Sequence, residues 1–94
     1  MNRTYTSQVI QFKGTKGLRR PNEKQVMLMQ THGFQFNTSE KVGDHWVIEY
    51  SRVVTRFETV SKKFLETLGK NFTKIDPKES IMFAPKYKGD SASL

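Results

Sequence analysis

Cysteine is absent from this 94-residue chain. That excludes a disulfide framework, a cysteine-ligated zinc centre and a thiol nucleophile. Long apolar runs are missing as well. Nothing approaches the roughly 18 consecutive apolar residues of a membrane span, and residues 1–20 contain no apolar signal core. A soluble cytoplasmic protein with no membrane partner is the simplest expectation, although a chain without cysteine also suits secretion. Histidine is scarce, at two residues. His32 sits where a helix should end and His45 follows a turn beside Asp44, both ordinary structural settings. No HxxxH, HExxH or GxSxG spacing occurs, so the common metal and serine-nucleophile signatures are missing. The nine acids are scattered, and Glu58 with Lys62 and Glu66 with Lys70 have the i,i+4 spacing of solvated helix pairs. An enzyme is therefore not expected, nor a cofactor or a bound metal.

What the chain does have is positive charge: 16 lysines and arginines give a net charge of +7. Residues 1–33 carry six cations against one acid, residues 34–54 two against three, and residues 55–94 eight against five. The excess sits at the two ends of the chain, and the middle is slightly acidic. Such asymmetry favours an anionic partner on one surface.

The length suits one small domain over residues 1–94, with residues 1–6 and 89–94 expected to be disordered ends. "SQVIQFK" has the β propensity of a strand. Pro21, Asn22 and Gln25 then supply a helix start with a capping box, and Gly33 supplies the stop after "EKQVMLMQTH". Val26, Leu28, Met29 and His32 share one broad face of that helix, whereas Met27 points away from it. "FQFNTSEKVGDHWVIEYSRV" reads as a hairpin turning at Gly43-Asp44, with Trp46, Ile48 and Tyr50 on one face. A second helix follows along Phe57, Val60, Phe64, Leu65 and Leu68. Thr55 with Glu58 would cap it, yet the β-branched "SRVVTRFETV" would let the strand run on and move the helix start to near Ser61. Residues 77–87 support two readings, a short helix from Asp76-Pro77 or a terminal strand in "SIMFAPKY". The fold class is α+β, a small single-layer antiparallel sheet with two helices on one face. The element order is β-α-β-β-α, and a final β would make it split-βαβ-like.

The candidate site is "FKGTKGLRRPNEKQ", residues 12–25. Lys13, Lys16, Arg19, Arg20 and Lys24 surround Gly14 and Gly17, whose backbone amides could form an anion nest leading into a helix N-terminus. The G-x-x-x-x-G-K-[ST] pattern of a P-loop is missing. A second candidate is the hairpin, where "GFQF" and "WVIEY" resemble fragments of base-stacking RNA-binding strands without their full pattern. A small domain needs Phe34, Phe36, Trp46 and Tyr50 for its core, and they are assigned there. Lys70, Lys74, Lys78, Lys86 and Lys88 form a third basic series, read as a solvated tail laid over the core.

The leading expectation is a nucleic-acid-binding module, DNA or RNA, gripping the phosphate backbone with weak sequence specificity through residues 13–24. The alternatives are a regulatory or inhibitory module docking a basic face on an acidic protein, and a binder of a small phosphorylated ligand. An exposed edge strand would also allow pairing into a homodimer.

Overall fold

The computed structural model describes residues 5–15, 17–55 and 59–81. The sheet has four strands: β1 (Tyr5–Lys13), β2 (Gln35–Val42), β3 (His45–Thr55) and β4 (Phe72–Ile75). Helix α1 (Glu23–Thr31) follows β1, and α2 (Lys62–Leu68) follows β3. The spatial order is β2-β3-β1-β4 with every neighbouring pair antiparallel, which is the strand order of a split-βαβ plan.

Strand pleating decides what the sheet buries. Ile10 and Phe12 of β1 lie opposite Tyr50 and Ile48 of β3, and Phe12 lies opposite Phe72 of β4. The Phe12 and Phe72 rings are 5.2 Å apart and tilted. Onto this one face α1 packs Met29, with Val26 and Leu28 beside it, and α2 packs Phe64 and Leu68, with Leu65 beside them. Phe34 and Val60 complete the core, Phe34 stacking on Phe64 at 5.7 Å.

Helix α1 begins and ends where its sequence says it should. Asn22 accepts from the Gln25 amide at 2.8 Å, and Gln25 Oε1 accepts from the Asn22 amide at 2.8 Å. Gly33, at φ +86°, follows the His32 cap and takes the left-handed conformation that side chains resist. Two tertiary bonds then lock the helix layer. Gln25 Nε2 donates to Leu68 O at 2.8 Å, satisfying an orphan carbonyl at the end of α2. Arg52 of β3 donates from one guanidinium nitrogen to His32 O and from Nε to Gln8 Oε1, and it lies 4.7 Å from the Phe34 ring centroid. The last turn of α1 has no basic residue of its own. Arg52 therefore supplies the cation its C-terminal end favours.

The structure refines several expectations. Strand β1 reaches back to Tyr5, because Tyr5 and Thr6 pair with Thr55 and Val54. That same pairing carries β3 through Thr55, and α2 starts at an N-cap on Ser61 whose hydroxyl accepts from Lys63 and Phe64. A start at Thr55 is thus excluded, and Phe57 and Glu58 lie outside the described residues. The Glu66–Lys70 pair is not on a helical face either, since α2 ends at Leu68. A strand follows α2 at Phe72–Ile75, ahead of the segment where one was expected, while Pro77–Glu79 form a short 3-10 helix capped by Asp76. "SIMFAPKY" beyond Ile81 lies outside the described residues, as do residues 89–94.

The opposite face of the sheet holds a fully buried carboxylate. Glu49 accepts from Gln11 Nε2 at 2.9 Å, from the Ser80 hydroxyl, and from the Ile81 amide at 2.9 and 3.1 Å. Residues 80–81, just after the 3-10 helix, therefore lie against the face that the helices leave uncovered. No helix among the described residues is long and apolar enough to cross a membrane.

Candidate functional site

The basic stretch leaves the sheet at the end of β1, tied on both sides. Lys13 N–H donates to Asn71 O at 2.9 Å, and Asn71 Nδ2 donates to Lys13 O at 2.9 Å. Gly14 N–H donates to Trp46 O at 2.8 Å, adding one more bond beside β3. Leu18 N–H then closes a turn on Thr15 O at 2.8 Å. Gly14 is buried under that turn: a Cβ there would sit 2.0 Å from Leu18 O. At the far end Pro21 is buried and Asn22 caps α1. Residues 18–20 are thereby held between two fixed points, with Arg19 and Arg20 exposed.

Both arginines line an open depression of about 330 Å³ with Phe36 and Ser39 of β2 and Trp46 and Ile48 of β3. Its floor is the same sheet face that carries the core. The opening exists because β2 contributes no buried residue, so the strand extends beyond the packed helix layer. Phe36 is consequently 63% exposed, and Trp46 is half-buried. The Phe36 ring meets Tyr50 edge-on at 6.2 Å, which holds it upright on the sheet. Burial raises the Tyr50 phenol above its ordinary pKa of 10.0.

A second depression of about 340 Å³ adjoins the first, lined by Thr15, Gly17, Leu18, Arg19, Lys41, Asp44 and Trp46. The two share Arg19 and Trp46. A third, lined by Lys13, Gly14, Thr15, His45, Lys70 and Asn71, joins the second at Thr15. Together they make a track around one end of the sheet, past Arg20, Arg19 and Lys41 on the core face and on to Lys13 and Lys70 toward the other face, since Lys13 and His45 alternate with Phe12 and Trp46 on their strands. Among the described residues neither Arg19 nor Arg20 has a carboxylate partner, and Asp44 is the one acid lining the track.

The expected cluster is thus divided. Gly17, Arg19 and Arg20 meet in the two joined depressions, Lys13 stands in the third, and Lys24, in the first turn of α1, lines none of them. Lys16 lies outside the described residues. Of the two amides expected to form an anion nest, that of Gly14 is already bonded to Trp46 O. At the helix N-terminus the capping box occupies the Gln25 amide, and Glu23 places an acid in the first turn, which disfavours an anion there. Of the C-terminal lysines, Lys70 reaches the track, and Lys86 and Lys88 lie outside the described residues.

No protein-family model, curated protein or solved structure matches this chain. The site must therefore be judged on its own chemistry.

Two residues in it were assigned to the core from the sequence. Phe34 and Tyr50 are core, but Phe36 and Trp46 line the open depression. A signal for this existed in β2, where residues 37–41, NTSEK, contain no apolar side chain. A strand with so little to bury lies at the edge of the helix layer, and its neighbours are open with it. Chemically, the track offers guanidinium forks suited to bidentate anion contacts and two accessible ring systems.

Proposed function

We propose that the protein binds nucleic acid along this track, chiefly through backbone phosphates and with weak sequence specificity. The observation that carries the reading is the pair Arg19 and Arg20, unpaired by any described carboxylate, beside the exposed Phe36 ring and the half-buried Trp46 ring. Phosphate contacts position a protein without reading sequence, and cations next to aromatic side chains suit nucleic acid better than either feature alone. The grip comes from side chains, because the Gly14 amide and the α1 cap are engaged within the protein. That removes the main support for a small phosphorylated ligand held in a backbone nest. An acidic protein partner finds some support in Met27, 61% exposed on α1, but Met27 stands apart from the track. A cytoplasmic location is the expectation that accompanies this function.

The test is a salt titration of binding to labelled oligonucleotides. If Lys13, Arg19, Arg20, Lys41 and Lys70 together neutralise about four to five phosphates, log K should fall against log salt with a slope of about −3 to −4. Arg19→Ala with Arg20→Ala should weaken binding and flatten that slope by about one to two. Binding independent of salt, or unaffected by the double substitution, would refute the proposal.

A further inference from the structure

We infer that the track selects single strands over duplexes, with Trp46 and Phe36 each stacking an unpaired base. The inference rests on the nucleic-acid reading and adds to it the form of nucleic acid recognised.

Its ground is the placement of the rings relative to the cations. On the sheet face bearing the groove, Phe36 lies opposite Tyr50, Ser39 opposite Ile48, and Lys41 opposite Trp46. Trp46 and Tyr50 are four residues apart on β3, so the two ring positions are separated by about 13 Å along the strands. One base cannot cover both rings. Two bases of one strand can, each on its own platform, with Ser39 lying between them and the two guanidinium groups at the side. Phe36 is braced from the neighbouring strand by the edge-on contact with Tyr50, so it presents a fixed ring at little further entropic cost. A duplex keeps its base faces stacked on one another and would offer the same groove only phosphates and base edges. Base stacking on an aromatic ring tolerates any sequence, because every base has a π-face. Single-strand preference and weak sequence specificity therefore arise from the same feature.

Occupancy can be read from within the site, since Trp46 is the only tryptophan. The full chain is titrated with an oligothymidylate strand, with that strand annealed to its complement, and with inorganic polyphosphate. The single strand should bind tightest and quench Trp46 emission, while polyphosphate binds without quenching. Phe36→Ala should weaken single-strand binding about 5- to 150-fold, the range that losing one stacked base implies, and leave polyphosphate binding unchanged. Phe36→Tyr should restore it. Phe36 is mostly exposed, so the fold should survive these changes.

Equal affinity for strand and duplex, or Phe36→Ala binding like the native chain, would overturn the inference. If in that case Arg19→Ala with Arg20→Ala still weakens both ligands, the phosphate-binding function stands and only the stacking fails. If no nucleic acid binds in a salt-dependent way, both fall.

Discussion

Replacing Gly14 with alanine adds one methyl group where the backbone leaves no room for it. The new Cβ would lie 2.0 Å from Leu18 O, 3.1 Å from Leu18 C and 3.2 Å from the Phe12 ring. Ordinary carbon–oxygen contact is nearer 3.4 Å, so the carbonyl would have to retreat by about 1.4 Å. The obstacle is backbone, which cannot swing aside as a side chain can. Movement of Leu18 would strain its bond to Thr15, and movement of Gly14 would strain its bond to Trp46. Overpacking of this kind costs about 1–3 kcal/mol. For a domain of this size that lowers Tm by about 5–20 °C. The same shift would displace Arg19, the next residue after Leu18, and affinity for the oligonucleotide should drop along with stability. Gly17→Ala is the control. Nothing lies within 4 Å of its Cβ position, and only its φ of +87° resists substitution, at about 1–2 kcal/mol. That variant should lose some stability while the arginine-dependent affinity of its folded form changes little. Thermal melts by circular dichroism, with anisotropy titrations well below each Tm, separate the two effects. A Gly14→Ala protein that melts and binds like the native chain would refute the packing argument, and would return Gly14 to a merely flexible role.

Other perturbations reach other parts of the molecule. Glu49→Ala removes the shared acceptor of Gln11, Ser80 and Ile81 and should cost at least about 2 kcal/mol in urea denaturation, with faster amide exchange at Ile81. An unchanged urea midpoint would show that this buried carboxylate is not what holds the 80–81 segment. Asn22→Ala should cost about 1 kcal/mol by breaking the capping box, and Asn22→Asp should lose little, as chemical denaturation of the two variants can verify. For Tyr50, burial raises the folded pKa above the ordinary 10.0, so the folded protein holds the phenolic proton more tightly than the unfolded chain. Its contribution to stability is fully present below pH 10.0 and is lost as pH rises through the folded value. Alkaline unfolding, followed by circular dichroism, should therefore move to higher pH in Tyr50→Phe. A Tyr50→Phe protein that unfolds at the same alkaline pH as the native chain would count against it.

The local features of this chain were legible residue by residue. Asn22 and Gln25 announce a helix start three residues apart, Gly33 its stop, and Gly43-Asp44 a hairpin turn, and all stand as expected. Each depends on atoms within a few positions of one another, so no distant partner can overrule it. Alternation likewise put Trp46, Ile48 and Tyr50 on one face correctly. What alternation cannot say is how far along that face the helices reach. Phe36 and Trp46 carry the same pattern as Phe34 and Tyr50 and meet a different fate, since α1 and α2 stop short of β2. Strand β4 escaped notice for a related reason. Four residues hold too few alternations to recognise, and Phe72 becomes a strand residue through its pairing with Phe12.

By itself, then, the sequence determined the class, the order of most elements, the caps and turns, and the location of the arginines in a loop before α1. These follow from propensity, spacing and charge, which are properties of neighbouring residues. The tertiary structure decided the rest. It ran β3 to Thr55 by pairing it with β1, buried Glu49 beneath residues 80–81, and fixed the turn at Gly14 by close backbone approach. It also set Arg19 and Arg20 beside two aromatic rings contributed by residues more than fifteen positions away. Such a neighbourhood exists only once the sheet has formed, because the register of β1, β2 and β3 determines which side chains share one end of one face.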